Sequence, residues 1–347
     1  MRAEPGGGMS EVVLRQVPGL PALYRDAVLL AARRRFRGAA VPLTVPEIRY
    51  RADGVRVEAR ALTAFQHLLG EPARDTLPSA YVHAVAFPVA MSLLARPDFP
   101  LPLLGMVHLG NTVQQSRSIA VSERLDIVAS AENLRAHRAG TQVDVVTEVS
   151  VEGVPVWTGR SVYLTRSVLL PATADTPTPD RPAETPFAPP VPTAVWRFDG
   201  SAGRRYAAVS GDWNPIHLSA FSAKALGMKR SIAHGMYLAA RMLAQACPGP
   251  TDDLRWSIDF ATPVLLPGMV AVAFTDATPS GNLQGTPREG KQLPESGLPG
   301  RSRPGGAGGT GSAHPDVTPA GRVRTDIVGW SRERSRPHFT GRVERSA

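Results

Sequence analysis

Three residues with chemically active side chains stand close together in the second half of the chain. Asp212, Asn214 and His217 bring a carboxylate, an amide and an imidazole into six consecutive positions. Asn214 followed by Pro215 is typical of a helix start, with Asn as the N-cap and Pro as the first helical residue. Because the chain reverses there, the side chains of Asp212 and His217 are able to converge. A converging acid and base predict a site that moves protons.

Other chemistries fit these residues less well. A calcium loop that began at Asp212 would need an oxygen ligand and a glycine where Ile216 and His217 stand. A metal bound by Asp212, His217 and His234 remains an alternative, although no pair of them has a usual zinc spacing. The sequence has neither a glycine-rich phosphate loop nor a Gly-x-Ser-x-Gly motif. The lone Cys247 is expected to be a buried residue without a chemical role.

The stretch around the turn resembles the signature of the MaoC-like dehydratases, which include the (R)-specific enoyl-CoA hydratases of the hotdog fold. The matching positions are Tyr206, Ser210-Gly211-Asp212, Asn214-Pro215, His217 and His234-Gly235-Met236. Phe260–Gly268 is similar to the strand, turn and strand that follow in that family. More widely, most of residues 10–276 and the stretch near Pro337–Val343 resemble the double-hotdog, actinobacterial type of 3-hydroxyacyl-thioester dehydratase. In that type, the first hotdog has lost the catalytic turn and the second keeps it.

The resemblance implies a role for each matching residue. Asp212 and His217 would hold one water molecule, and Asn214 would orient them. The N–H of Gly235 would bind the developing enolate oxygen of a thioester, with help from the helix dipole.

Further contacts to the thioester are implied for Ser210 and His234. Some single-hotdog relatives carry a serine eight residues after the glycine, where this chain has Leu243. The second contact to the thioester oxygen is therefore left open by the sequence.

The activity implied is the reversible hydration of trans-2-enoyl thioesters to (R)-3-hydroxyacyl thioesters, carried by CoA or by an acyl carrier protein, in fatty-acid metabolism. The alternatives are a dehydratase restricted to carrier-protein substrates in fatty-acid or polyketide synthesis, and a non-catalytic protein that binds acyl thioesters. No cofactor and no metal are expected. The protein is expected to be a monomeric double hotdog or a homodimer.

The elements that position these residues are predicted as two α+β halves. Alternating residues from Val55 to Ala61 and from Val143 to Val149 predict strands, and Tyr81–Phe87 predicts another, with a helix from Pro88. The second half is expected to contain helices over 201–209, 215–226 and 235–246, and strands over 196–198, 254–260 and 268–274. Each half is expected to be an antiparallel sheet wrapped around a central helix.

Proline and glycine mark the predicted boundaries between parts of the chain. Residues 10–167 form the degenerate first hotdog, a proline-rich linker covers 168–194, and the catalytic hotdog covers 195–276. Ten glycines and seven prolines predict a disordered insertion over 277–320. Alternating apolar residues in 321–347 predict a closing strand or hairpin.

Composition narrows the class of protein. The net charge is +9, but residues 277–347 hold eleven Arg or Lys and six Asp or Glu, so +5 of the excess lies there. Only three of the 39 basic residues are lysines, which favours coding bias over a phosphate-binding surface, and no nucleic acid is expected. One cysteine excludes an intrachain disulfide. The chain has no apolar run of roughly 18 residues and no secretory signal at its start, so no membrane contact is expected and a cytoplasmic location is predicted.

Overall fold

Eleven strands form one sheet in the computed structural model, which describes residues 9–37, 42–170, 187–225, 227–277, 321–333 and 335–346. The strands are β1 (Ser10–Val13), β2 (Ile48–Val55), β3 (Val107–Gln115), β4 (Leu125–His137), β5 (Gly140–Val151), β6 (Val154–Thr165), β7 (Ala194–Phe198), β8 (Leu254–Phe260), β9 (Gly268–Ala277), β10 (Arg322–Ser331) and β11 (Arg336–Ser346). Every neighbouring pair is antiparallel except β1 and β2.

Seven helices accompany the sheet in the part of the chain that the structure describes. They are α1 (Leu20–Arg37), α2 (Ala59–Leu69), α3 (Ser79–Leu94), α4 (Ala202–Ser210), α5 (Pro215–Leu218), α6 (Ala220–Ala225) and α7 (Gly235–Ala246). The long helix α3 lies against β4, β2 and β5, and α7 lies against β11. The two helices also contact each other. No helix within the described ranges combines the length and the apolar character that crossing a bilayer requires.

The two halves of the sheet repeat one strand order. Read toward the middle, the first half runs β2-β4-β5-β6-β3 and the second half runs β7-β9-β10-β11-β8. The halves meet where β3 pairs with β8, from Gly110 opposite Asp259 to Gln115 opposite Leu254. Each half therefore wraps five antiparallel strands around one central helix, which confirms the predicted double hotdog.

The junction between the halves is held by side chains as well as by backbone. The hydroxyl of Ser79, the first residue of α3, accepts the indole N–H of Trp157 at 3.0 Å and that of Trp256 at 2.9 Å. The two tryptophans come from different halves, and all three residues are buried. A buried indole N–H needs an acceptor, so Ser79 satisfies one donor from each half.

The prediction of a strand over Tyr81–Phe87 followed by a helix from Pro88 is wrong, because α3 is one helix that contains both segments. Thirteen of its sixteen residues are buried, so it has no polar face and its sequence lacks helical periodicity. A short apolar run of this kind does not distinguish a buried helix from a buried strand. The predicted alternation from Val55 to Ala61 is also wrong beyond Val55, since α2 begins at Ala59.

Most other elements lie where the sequence predicts them. Helix α7 has the predicted bounds, and β10 and β11 are an antiparallel pair within the range predicted for the closing hairpin, with β11 between β8 and β10. The predicted helix over 215–226 is two short helices, α5 and α6. Residues 278–320 and 171–186, which hold most of the predicted insertion and linker, lie outside the described residues. The N–H of Thr193, inside the predicted linker range, donates to the carbonyl of Val272 at 2.9 Å.

Candidate active site

The turn between α4 and α5 is built by backbone groups and short polar side chains. Helix α4 ends at Gly211, whose φ of 76° lies in the left-handed region and reverses the chain. Asn214 caps α5 by accepting the N–H of Ile216 on its side-chain oxygen at 3.3 Å. Its own N–H donates to Oδ1 of Asp212 at 3.2 Å. The predicted N-cap is therefore confirmed, and the cap also fixes the carboxylate.

Ser210 takes part in the same turn. Its hydroxyl donates to the carbonyl of Tyr206 at 2.8 Å and accepts the N–H of Asp212 at 3.3 Å. These bonds give Ser210 a structural place at the end of α4. Its predicted contact with a substrate stays a prediction.

The two histidines of the signature stack on each other beneath Asp212. The ring centroids of His217 and His234 are 3.6 Å apart, with the ring planes 26° from parallel. Nδ1 of His217 lies 2.8 Å from the carbonyl oxygen of Ile232, and Nε2 of His234 lies 2.9 Å from that of Asp212. A carbonyl only accepts, so each of these nitrogens carries the hydrogen. The acceptor nitrogens are consequently Nε2 of His217 and Nδ1 of His234.

Burial keeps both imidazoles neutral. It lowers the pKa of His217 to about 3, and His234 lowers it further, while Asp212 and the hydrogen bond to the Ile232 carbonyl each have a smaller opposing effect. Burial lowers the pKa of His234 to about 4, against a smaller opposing effect of its hydrogen bond to the Asp212 carbonyl. At neutral pH His217 therefore offers a base nitrogen, and not a positive charge.

His234 and Gly235 stand at the N-terminus of α7. His234 is the N-cap residue, 2% exposed, and its Nδ1 is a buried atom without a hydrogen-bond partner among the described residues. Gly235 is the first helical residue, so its N–H has no partner within the helix and lies at the positive end of the dipole. A Cβ on Gly235 would come within 2.7 Å of the ring of Phe260. This close approach explains why only glycine fits there.

Helix α1 contributes a residue to this site that the sequence does not predict. The hydroxyl of Tyr24, on α1, donates to Oδ1 of Asp212 at 2.8 Å, although 188 positions separate the two residues. Burial, and secondarily the Asp212 carboxylate, raise the pKa of Tyr24 well above its ordinary value. The spacing of Leu20, Tyr24 and Ala27 is that of one helix face, and all three are buried. That spacing predicts α1, but it does not identify Asp212 as the partner.

Aromatic residues of the first half face the same region. The ring of His108 lies 4.8 Å from that of Tyr163 and 5.4 Å from that of Phe260, measured between centroids. Burial raises the pKa of Tyr163, and the charge of Asp212 adds to the effect. Burial lowers the pKa of His108 to about 4, and its Nε2 has no partner among the described residues. The first half therefore contributes a wall of the site without a catalytic turn of its own.

The side chains of Asp212, His217 and His234 also partly meet the requirements of a metal site. One ligand atom each from Asp212, His217 and His234 lies within 4.8 Å of the other two. Each ring has already committed one nitrogen to a carbonyl, which leaves one acceptor nitrogen per ring. A cation would therefore have to use Nε2 of His217 and Nδ1 of His234 as ligands.

Fold and site together define a double hotdog in which the second half carries a turn with a carboxylate and an imidazole. A family model described as a MaoC-like domain matches residues 179–280. The curated protein 3-hydroxyacyl-thioester dehydratase X of Mycobacterium tuberculosis is 38% identical over 229 residues, which is 65% of this chain and 80% of that protein. The chain belongs to the MaoC-like dehydratase family.

Solved structures agree with this assignment. A crystal structure of the M. tuberculosis protein HtdX superposes with a TM-score of 0.63 at 28% identity, over 85% of this chain and 98% of that one. A MaoC-like dehydratase from Phytophthora capsici superposes with a TM-score of 0.53 at 16% identity, over 86% and 95% of the two chains. The second likeness concerns the fold alone.

Proposed function

We propose that the protein is a hydro-lyase that interconverts trans-2-enoyl and (R)-3-hydroxyacyl thioesters. The observation that carries the proposal is the pairing of a carboxylate with a neutral imidazole on one turn, close to the N-terminus of a central helix. The relative named 3-hydroxyacyl-thioester dehydratase X supports the substrate class. The configuration at C3 follows from the family resemblance.

The turn provides two acceptors for one water molecule. Asp212 offers a carboxylate oxygen, and His217 offers Nε2 because its Nδ1 donates to the Ile232 carbonyl. During hydration, a base takes one proton from the water as its oxygen bonds to C3 of the enoyl group. The same proton then passes to C2, so that the elements of one water are added across the double bond. Dehydration is the reverse path.

The thioester carbonyl needs a donor as negative charge develops on its oxygen. The N–H of Gly235 is suited to this role, since it is unpaired within α7 and lies at the positive end of the helix. Leu243, in the middle of α7, is buried and has no polar group to add. His108, whose Nε2 is buried and unpaired within the described part of the chain, is available as a second polar contact.

A basic groove on the second half of the molecule is compatible with either thioester carrier. Its lining includes Arg197, Lys229, Arg230, Arg332 and Arg336, together with two acidic residues. Lys229 and Arg230 stand directly before the segment that accepts the His217 hydrogen bond. Phosphates of CoA and acidic residues of a carrier protein would both be attracted to such a groove. A dehydratase restricted to carrier-protein substrates is therefore the second candidate.

The test is turnover of crotonyl-CoA and longer 2-enoyl-CoAs by the purified full chain and by two variants. We expect Asp212→Asn and His217→Ala each to lower kcat by roughly 100-fold to 10,000-fold, because the first replaces the carboxylate with a neutral amide and the second removes the acceptor nitrogen. The double variant should lose little more than either single one, since the residues act on one water.

The control is His137→Ala, which removes the histidine at the end of β4 whose ring accepts the N–H of Ala139. This variant should keep the wild-type rate. Correctly folded Asp212→Asn and His217→Ala proteins with near wild-type rates would refute the assignment. A wild-type protein that binds the thioesters without turnover would favour the non-catalytic alternative.

A further inference from the structure

Helix α1 lies directly over the catalytic turn. The side chain of Leu20 reaches to within 3.8 Å of the place where a Cβ on Gly211 would be, and Tyr24 follows one helical turn later. Leu20 and Tyr24 are 2% and 8% exposed. Since α1 also contacts α3, it is packed between the first half and the turn.

The contacts divide the two oxygens of Asp212 between two sides. Oδ1 accepts the hydroxyl of Tyr24 at 2.8 Å and the N–H of Asn214 at 3.2 Å. Oδ2 lies on the histidine side, 3.9 Å from Nε2 of His234. Two donors on Oδ1 fix the rotation of the carboxylate and leave Oδ2 as the oxygen that faces the histidines.

We propose that Tyr24 is a positioning residue that holds the Asp212 carboxylate with Oδ2 directed at the water. This inference rests on the proposed hydro-lyase function and assigns part of the active site to a helix outside the two central helices. The hydroxyl remains a donor throughout the physiological range, because burial and Asp212 raise the pKa of Tyr24. A hydrogen bond to a charged group is among the stronger ones in proteins.

The experiment compares Tyr24→Phe with wild type in steady-state hydration of crotonyl-CoA and a longer 2-enoyl-CoA. The phenyl ring keeps the packing of α1, and only the hydroxyl is lost. We expect kcat to fall roughly 10-fold to 100-fold, the factor expected for one hydrogen bond to an ion. KM should change by less than about threefold, because the hydroxyl contacts Asp212 and not the substrate.

The matched control is Tyr50→Phe. The hydroxyl of Tyr50 also bonds an ion, since it accepts from Arg96 at 3.2 Å, but it lies on β2 away from the turn. This variant should keep wild-type kcat and KM. If Tyr50→Phe loses as much activity as Tyr24→Phe, a general loss of packing explains both, and the inference is overturned.

A double variant separates positioning from a merely structural role. If Tyr24 acts through Asp212, adding Tyr24→Phe to Asp212→Asn should change the residual kcat by less than about twofold. If Tyr24→Phe lowers the kcat of the Asp212→Asn protein as much as it lowers that of the wild type, the inference is contradicted. An active wild type with an equally active Tyr24→Phe overturns the role of Tyr24 alone. An inactive wild type overturns the proposed function, and the role of Tyr24 with it.

Discussion

Side-chain protonation decides what the turn is able to do. His217 and His234 are in contact, and two positive rings at a centroid distance of 3.6 Å would repel each other strongly. Burial and this contact keep both rings neutral, and each ring is oriented by one backbone carbonyl. A neutral, oriented imidazole beside a carboxylate is a proton acceptor, which is what activation of water requires.

Chelation distinguishes water activated by side chains from water activated by a metal. We expect hydration activity to survive exhaustive treatment with EDTA, because Asp212 and His217 already provide two acceptors. The measurement is kcat before and after chelation and after addition of zinc. Loss of activity that zinc restores would show that Asp212, His217 and His234 hold a cation.

The sequence predicts the residues of the turn but not their neighbours from the first half. Asp212, Asn214 and His217 lie within six positions, so local turn chemistry is enough to bring them together. Tyr24 and His108 reach the site only through the tertiary fold. One sequence does not record contacts across such distances, and a tyrosine on a helix face has many possible partners.

At the scale of elements, the closing hairpin completes the second half. Strand β11 is paired on one side with β8 and on the other with β10, and β10 is paired with β9. Phe339 and Val343 on β11 are at most 1% exposed. Without β10 and β11, β8 and β9 would each lose a neighbour and α7 would lose the strand it contacts.

Two altered chains test this arrangement. Residues 281–318 replaced by a short Gly/Ser linker should leave melting temperature and kcat close to wild type. The ends to be joined are close, because Ala277 pairs with Arg324, and a shorter loop lowers the closure entropy only slightly. A chain truncated after Pro279 should aggregate or lose activity, since two strand edges and apolar surface become exposed.

For both altered chains, aggregation is measured by static light scattering, melting temperature by thermal melts, and kcat by hydration assays. A truncated chain as stable and active as the parent would show that the hairpin is dispensable. A linker chain that fails while the parent folds would show that 281–318 has a role that composition does not predict.

Helix α3 is the element for which the sequence predicts the wrong structure over Tyr81–Phe87. Thirteen of its sixteen residues are buried, and so the periodicity that distinguishes helix from strand is missing. The helix α7 has one exposed and four half-buried positions, and its bounds are predicted to the residue. The central helix of the first half is therefore not predicted from the sequence, because it is buried on every side.

At the scale of the whole molecule, the interior holds several neutral histidines. Burial lowers the pKa of His83 to about 3, with a smaller contribution from His108, and His108, His217 and His234 are also lowered. An unfolded chain would bind a proton at each of them below about pH 6.5. Folding is thus coupled to the loss of protons from these four sites.

We expect stability to fall as the pH falls below about 6.5. The pKa values of these histidines are lower in the folded state than in the unfolded state, so the unfolded state binds more protons. Each histidine therefore lowers the free energy of unfolding by about 1.4 kcal/mol per pH unit. At pH 5 the four together amount to on the order of 8 kcal/mol, comparable to the whole stability of a typical domain. Thermal melts between pH 8 and pH 5 provide the measurement.

The variant His83→Leu removes one of these histidines without touching the turn. In this variant, unfolding should take up about one proton fewer below pH 6.5, so the free energy of unfolding should depend less steeply on pH. A melting temperature that stays constant from pH 8 to pH 5 would contradict the prediction.

Because the two halves repeat one strand order, the chain is equivalent to a dimer of hotdogs whose two subunits are covalently linked. Two identical subunits would carry two catalytic turns, and a change in one would appear in the other. In the tied pair the halves are free to differ: after α2 the first half has Gly70-Glu71-Pro72, where the second has Gly211-Asp212-Trp213 after α4. Under the proposed function, the described residues contain one catalytic turn, and the asymmetry allows a helix such as α1 to contact a turn built by the opposite half.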